Sequence, residues 1–201
     1  MRFQKFIIIL SIFLQLGLLG CKKKDLTENL VINLKDRFYW AKADAKSTIE
    51  DAETLRFHKF STDGVSNILD VAGKEQEYVW LMAVFALPED LRGKALGLLI
   101  SYLHFADKVW VNGTFVGSYG QFPPHSKSSL WGSHFYSIPE PLLNPVGRNI
   151  ILIKVYCKGQ SGISDNILLG EHDIIKNRDT LHTFGQSIIY LFAEGDRKSV
   201  V

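Results

Sequence analysis

The sequence predicts an all-β protein built from two packed sheets, and three observations support this. Short runs rich in Val, Ile, Phe, Tyr and Trp recur between clusters of Gly, Pro, Asn and Asp. One of these runs is apolar on both faces, as in a strand that is covered on each side. Two others are joined by Asn-Gly, the strongest short signal for a β-hairpin. Together these features are typical of a β-sandwich in a chain of 201 residues.

The N-terminus has the pattern of an export signal. Arg2 and Lys5 form a basic start, and residues 6–19 are mostly apolar. The segment closes on Leu-Leu-Gly-Cys at residues 18–21, which resembles a bacterial lipobox. In that motif the cysteine is lipidated and becomes the new N-terminus. We therefore expect cleavage before Cys21 and a lipid on its sulfur; a plain signal peptide with a chance cysteine is the alternative.

The mature chain is then expected in the bacterial cell envelope, exported and anchored to a membrane. Residues 21–34 would be a lipidated, solvated tether that starts with Lys-Lys-Lys-Asp after Cys21. Loss of residues 1–20 takes the formal net charge from +2 to 0, which gives no electrostatic case for binding nucleic acid. Cys157 is the second of two cysteines, so with Cys21 lipidated no disulfide is expected.

The strands are predicted from alternation. Residues 78–88 are apolar on both faces, and residues 94–103 and 149–157 follow a similar pattern. Residues 45–55 have the composition of a short helix.

The hairpin lies in residues 108–120, KVWVNGTFVGSYG. A type I′ turn needs positive φ at both central residues, which Asn112 and Gly113 supply most readily. Val109 and Val111 alternate with Trp110 before the turn. This pattern assigns Asn112 and Gly113 a structural role in the turn rather than a ligand-binding one.

The order of these signals resembles a known family. WLMAVFALP at residues 80–88 is followed by VWVNG at residues 109–113, then by Val116 and Gly117, and a Gly-Arg-Asn turn precedes the strand at residues 149–157. This order resembles the galactose-binding-like jelly roll. Such domains occur at the N-terminus of family-two glycoside hydrolases and as the extracellular module of bacterial seven-transmembrane receptors with diverse intracellular signalling modules. The resemblance implies a jelly-roll β-sandwich over residues 35–170.

The resemblance also places the loop after the hairpin at one end of the sandwich. That loop region carries aromatic rings beside amide and imidazole groups, a combination that suits a sugar. The candidate ligand-binding residues are Tyr119, Gln121, Phe122, His125 and Trp131. The alternative, favoured for each residue taken singly, is that side chains such as Phe122 and Trp131 pack the loop onto the sheet.

No catalytic constellation is visible in the sequence. The six histidines are scattered, and none has metal-ligand spacing with Cys, Asp or Glu. The chain has no nucleophile elbow and no phosphate-binding loop. We therefore expect no catalytic residues, no metal and no cofactor in this chain; any catalytic residues would belong to a longer, full-length protein.

The C-terminus suggests a truncated gene. Residues 171–195 are expected to begin a following segment, and the apolar residues 184–195 suit the first turns of a membrane helix. Residues 196–201, DRKSVV, match a translated sequencing adapter and are expected to be an artefact.

Two functions follow from these patterns. The favoured hypothesis is a membrane-anchored module of a truncated receptor that senses a carbohydrate, another small molecule or a protein partner. The alternative is the sugar-binding N-terminal accessory domain of a truncated family-two-like glycoside hydrolase.

The anchor hypothesis makes the first testable prediction. Intact-mass measurement of the mature protein should show diacylglycerol on Cys21, and Cys21→Ala should give soluble or unprocessed protein. Several acyl chains anchor a protein stably, whereas one binds only marginally. A mature protein with an unmodified Cys21 would contradict the lipobox.

Overall fold

The computed structural model describes residues 30–60, 65–128, 132–159, 161–164, 166–181 and 183–184. The predicted signal peptide, Cys21, Trp131 and residues 185–201 lie outside these ranges. The described residues form twelve strands, three α-helices and three single-turn 3-10 helices. The strands are β1 Val31–Asn33, β2 Phe38–Ala43, β3 His58–Lys59, β4 Val65–Asn67, β5 Tyr78–Ala86, β6 Leu96–Ile100, β7 Ala106–Val111, β8 Thr114–Tyr119, β9 His134–Ile138, β10 Arg148–Tyr156, β11 Gly162–Ser164 and β12 Ile167–Glu171. The α-helices are α1 Ile49–Thr54, α2 Ile68–Ala72 and α3, residues 172–181.

Two antiparallel sheets enclose the core. The larger sheet has six strands in the order β3-β2-β5-β10-β7-β8, and the smaller has four in the order β1-β12-β6-β9. A two-stranded ribbon, β11-β4, lies beside them. The prediction of an all-β protein with two packed sheets is confirmed. The finer prediction of a jelly-roll topology stays a prediction.

The centre of the larger sheet is the pair β5–β10. Its inner face buries residues such as Leu81, Phe85 and Ile153 between the two sheets. Its outer face carries Trp80, which is also fully buried. The sequence prediction of a strand that is apolar on both faces is therefore confirmed.

The predicted hairpin is present. Asn112 has φ 47° and Gly113 has φ 85°, so both turn residues adopt the conformation that a type I′ turn needs. The Asn112 side chain also ties the turn to the start of β10 and to the loop before it. Its amide nitrogen donates to the Leu142 carbonyl and to Asn149 Oδ1, each at 2.8 Å, and its oxygen accepts from the Ile150 N–H at 2.8 Å.

Several boundaries differ from those expected. β1 pairs with β12, so the sandwich begins inside residues 21–34, which the sequence assigned to a tether. The helix predicted at residues 45–55 starts only at Ile49, because Thr48 caps it and makes a reciprocal capping box with Asp51. The strand predicted at residues 94–103 corresponds to β6, which ends at Ile100. The apolar pattern of the sequence continues past Ile100, but the chain leaves the sheet there and forms a loop before β7, in which Phe105 has φ 77°.

α3 covers the outer face of the smaller sheet. Ile175 is fully buried there and packs with Leu99 and Leu168. A Cβ built at Gly97 would lie 2.9 Å from the Ile175 Cβ, and one built at Gly170 would lie 3.2 Å from the Ile175 Cδ1. The absence of a side chain at both glycines therefore lets α3 pack closely on the sheet. The segment expected to follow the domain thus starts as a helix packed against it.

No helix among the described residues is long and apolar enough to cross a bilayer. The membrane-helix expectation rested on residues 184–195, of which all but Phe184 lie outside the described ranges.

The turn geometry makes a stability prediction. Gly113→Val should lower the free energy of unfolding by about 1 kcal/mol or more, because a β-branched residue is strained at positive φ. Chemical denaturation monitored by tryptophan fluorescence measures the change. Thr114→Val, which adds a β-branched apolar residue at the next position of the same hairpin, is the control and should change stability much less. Equal effects for the two variants would contradict the role of the turn.

Candidate functional site

The candidate loop follows β8 at the end of the larger sheet opposite the Asn112-Gly113 turn. Four of the five predicted ligand residues are described there, and Trp131 lies outside the described residues. The backbones of Gln121 and Lys127 pair across the loop, with N···O distances of 2.8 and 3.1 Å. These two hydrogen bonds hold the ends of the loop together, so the loop does not extend away from the sheet.

Tyr119 faces the interior of the sandwich. Its ring stacks on His134 with centroids 4.3 Å apart and an interplanar angle of 4°. Its hydroxyl donates to the Phe135 carbonyl at 3.3 Å and accepts from the Phe135 N–H at 3.2 Å. These contacts join β8 to β9 across the edge of the two sheets, so Tyr119 has a structural role.

Phe122 lies on the opposite face of the larger sheet. Its ring is 5.8 Å from that of Tyr78 and 6.1 Å from that of Tyr156, and the Lys108 ammonium is 5.0 Å from its centroid. These contacts correspond to the packing alternative that the sequence left open. Gln121 and His125 are exposed.

The structure therefore separates two of the four described residues. Tyr119 and Phe122 are turned to opposite faces of the sheet, so a single ligand cannot contact both rings. A ligand-binding role for the predicted residues, Tyr119, Gln121, Phe122, His125 and Trp131, stays a prediction.

A buried polar cluster lies beneath Tyr119, and the sequence analysis missed it. Asp107 on β7 accepts a hydrogen bond from the Tyr136 hydroxyl, and its other oxygen is 2.5 Å from His134 Nδ1. The side chains of Asp107 and His134 are 0% and 1% exposed. Burial, and then the neighbouring Asp107 carboxylate, hold the pKa of Tyr136 well above its usual range. The cluster therefore joins the two sheets through a fully desolvated carboxylate.

A sequence signal for half of this cluster existed. Asp107 alternates with Val109 and Val111, and the register places all three on the inner face of β7. An inward carboxylate must find partners, because burying one without them is costly. The partners His134 and Tyr136 come from the other sheet. Gly117 makes room for them, since a Cβ there would lie 3.0 Å from the Tyr136 ring.

A second buried charge lies on the outer face of the larger sheet. Lys154 is 5% exposed, and its ammonium donates to the Ser47 carbonyl at 2.6 Å and the Ala45 carbonyl at 3.3 Å. It also lies 5.5 Å from the Tyr78 ring centroid and 5.7 Å from that of Trp80. Burial lowers the pKa of Lys154, and the Asp44 carboxylate opposes that shift. Lys154 thus holds the loop before α1 across half of this face.

The other half of the outer face is open. Met82, Val84 and Trp110 are half-buried there, while Phe115 is 51% and Ile150 40% exposed. At the edge formed by β2 and β3 this surface deepens into a cleft. The cleft is lined by Asp36, Arg37, Tyr39, Lys59, Met82, Val84 and Arg148.

The described part of the chain contains neither a metal site nor a reactive thiol. No group of three or more His, Cys, Asp or Glu side chains in these ranges could hold a metal ion. Cys157 is a free, buried thiol, and burial raises its pKa to about 11, so it is a poor nucleophile near neutral pH.

Comparison with known proteins gives matches in structure but not in sequence. No family model matches the chain, and no curated protein matches it. A β-glucuronidase from Ruminococcus gnavus, in complex with uronic deoxynojirimycin, is similar with a TM-score of 0.50 and 12% identity over 71% of this chain and 29% of that chain. Bacteroides uniformis β-glucuronidase 2, covalently bound to cyclophellitol-6-carboxylate aziridine, has a TM-score of 0.50 and 14% identity over 70% of this chain and 18% of that chain. A β-glucuronidase described as from glycoside hydrolase family 2 has a TM-score of 0.49 and 17% identity, over 70% of this chain and 17% of that chain.

These similarities concern the fold, because the sequence identities are low. The chain shares a β-sandwich of the kind found in β-glucuronidases and spans less than a third of the length of each.

The buried cluster makes a stability prediction. Asp107→Ala should destabilise the protein by about 3 kcal/mol or more, because it removes one partner of a buried, hydrogen-bonded pair. Asp173→Ala is the matched control: Asp173 also contacts a histidine, at 2.8 Å from His172 Nδ1, but its side chain is 87% exposed. That variant should stay within about 0.5 kcal/mol of the parent. Similar denaturation midpoints for the two variants would show that the buried pair does not join the sheets as described.

Proposed function

We propose that this chain is the N-terminal, non-catalytic, carbohydrate-associated domain of a family-two-like glycoside hydrolase, exported and anchored through Cys21. The observation that carries the proposal is the fold likeness, which covers 70–71% of this chain but only 18–29% of the β-glucuronidases. An accessory domain of a larger enzyme would make up a similarly small share of the enzyme's length.

The buried charges support an accessory role. Asp107 and His134 form an acid–base pair of the kind that hydrolysis uses, but the two side chains are sealed between the sheets, and Asp107 also accepts a hydrogen bond from Tyr136. A substrate cannot reach them without separating the sheets. Catalysis would then come from the rest of the enzyme, where paired carboxylates act on the glycosidic bond.

The receptor hypothesis gains no support from the described residues. It rested on the apolar segment at residues 184–195, of which only Phe184 is described. Residues 172–181, just before it, pack on the sandwich through Ile175.

The native gene tests this proposal. Long-read sequencing of the locus should show a reading frame that continues past Gly195 without DRKSVV and encodes further strands and a barrel. The product of that longer gene should release p-nitrophenol from a p-nitrophenyl β-glycoside, whereas the 201-residue chain should not. A continuation that encodes several membrane helices would favour the receptor instead. A gene that stops at Val201 would make the protein a self-contained binding lipoprotein.

A further inference from the structure

The cleft on the outer face of the larger sheet combines an apolar floor with a positively charged rim. Tyr39 on β2 lies opposite Met82 on β5 in the strand register, and both are half-buried. Val84 extends this floor towards Ile150, its partner on β10. The volume of about 520 Å³ is within the range of small-ligand sites.

Among the described lining residues, three cations and one anion form the rim. Arg37, Lys59 and Arg148 contribute three positive charges against one negative charge from Asp36. The Lys59 ammonium is already engaged, since it donates to the Asp36 carbonyl at 2.7 Å and lies 5.6 Å from the Tyr39 ring centroid. The cleft therefore has a net positive charge.

The two arginines are the available donors. In the described structure neither the Arg37 nor the Arg148 guanidinium has a hydrogen bond or an ion pair, although both line the same cleft. An arginine presents a planar fork of N–H donors that matches a carboxylate in a bidentate arrangement. Cations above a low-dielectric floor also concentrate the field on an anionic ligand.

We propose that this cleft binds a carboxylated sugar, a uronic acid unit of an oligosaccharide. The carboxylate would pair with Arg37 and Arg148, and the C–H face of the ring would lie on Tyr39, Met82 and Val84. A neutral sugar would leave the guanidinium groups unpaired, and a small anion would leave the apolar floor uncovered. The inference names a ligand for the proposed carbohydrate-associated domain and rests on that proposal only for its biological setting.

Calorimetric titration of the purified chain tests the site. The probes are trigalacturonate and galactotriose, which have the same ring stereochemistry but differ in the carboxylates. Trigalacturonate should bind at least about tenfold more tightly than galactotriose, as expected when one charge-assisted contact is gained. Its affinity should fall as the salt concentration rises, because the contacts are between charges near the surface.

Variants locate the binding. The double variant Arg37→Gln/Arg148→Gln should weaken trigalacturonate binding by at least about tenfold. Arg178→Gln removes one arginine charge from exposed α3 on the other side of the sandwich and should leave the affinity unchanged. A thermal unfolding midpoint equal to that of the parent would confirm that each variant remains folded. Tyr39→Leu keeps an apolar side chain but removes the ring, and it should weaken binding without changing the salt dependence.

Several outcomes would overturn the proposal. The first is that neither trigalacturonate nor a glucuronate disaccharide binds at about 10 mM. The second is that acetate binds as tightly as trigalacturonate. The third is that Arg178→Gln and the double variant lose the same amount of affinity for trigalacturonate. Binding that survives the double variant would place the ligand elsewhere. The outcome is separable from that of the proposed function: trigalacturonate can bind this chain even if the native gene encodes a receptor, and a barrel can follow even if this cleft stays empty.

Discussion

The pairing of β5 with β10 is the constraint on which the rest of the molecule depends. These two strands of nine residues each lie in the middle of the larger sheet, and both of their faces are partly or fully closed to water. One face meets the smaller sheet, while α1 and its preceding loop cover half of the other. Lys154 can occupy such a position only because its ammonium reaches the carbonyls of that loop. The half that the loop leaves uncovered becomes the cleft.

Local signals predicted the features that are local in origin. The turn at Asn112 and Gly113 depends on the φ preferences of two adjacent residues, and alternation was enough to identify β5 and β10. β1 escaped prediction because its three residues follow a polar stretch and become a strand only by pairing with distant β12. α3 escaped for a related reason. The packing of α3 on the sheet requires glycine at positions 97 and 170. That requirement is visible only once the structure shows Ile175 lying over Gly97 and Gly170.

The candidate site was harder to predict, because a binding surface depends on which face each residue takes. Tyr119 and Phe122 are three residues apart in one loop region, yet they end on opposite sides of the larger sheet. In the cleft, by contrast, residues that are distant in sequence come together. Arg37 and Arg148 are far apart in the chain, and they are brought to the same place by the register of β2 and β10 on either side of β5. No pattern in a single sequence reports that register.

The position of α3 has a consequence for how the domain can be connected to its surroundings. The helix occupies the outer face of the smaller sheet, whereas the cleft opens on the outer face of the larger one. Whatever is held in the cleft is thus separated from α3 by the full thickness of the sandwich, with a sheet-to-sheet distance of roughly 10 Å plus two layers of side chains. A contact made by α3 and a contact made in the cleft would therefore lie on opposite sides of the domain, so both could be made at the same time.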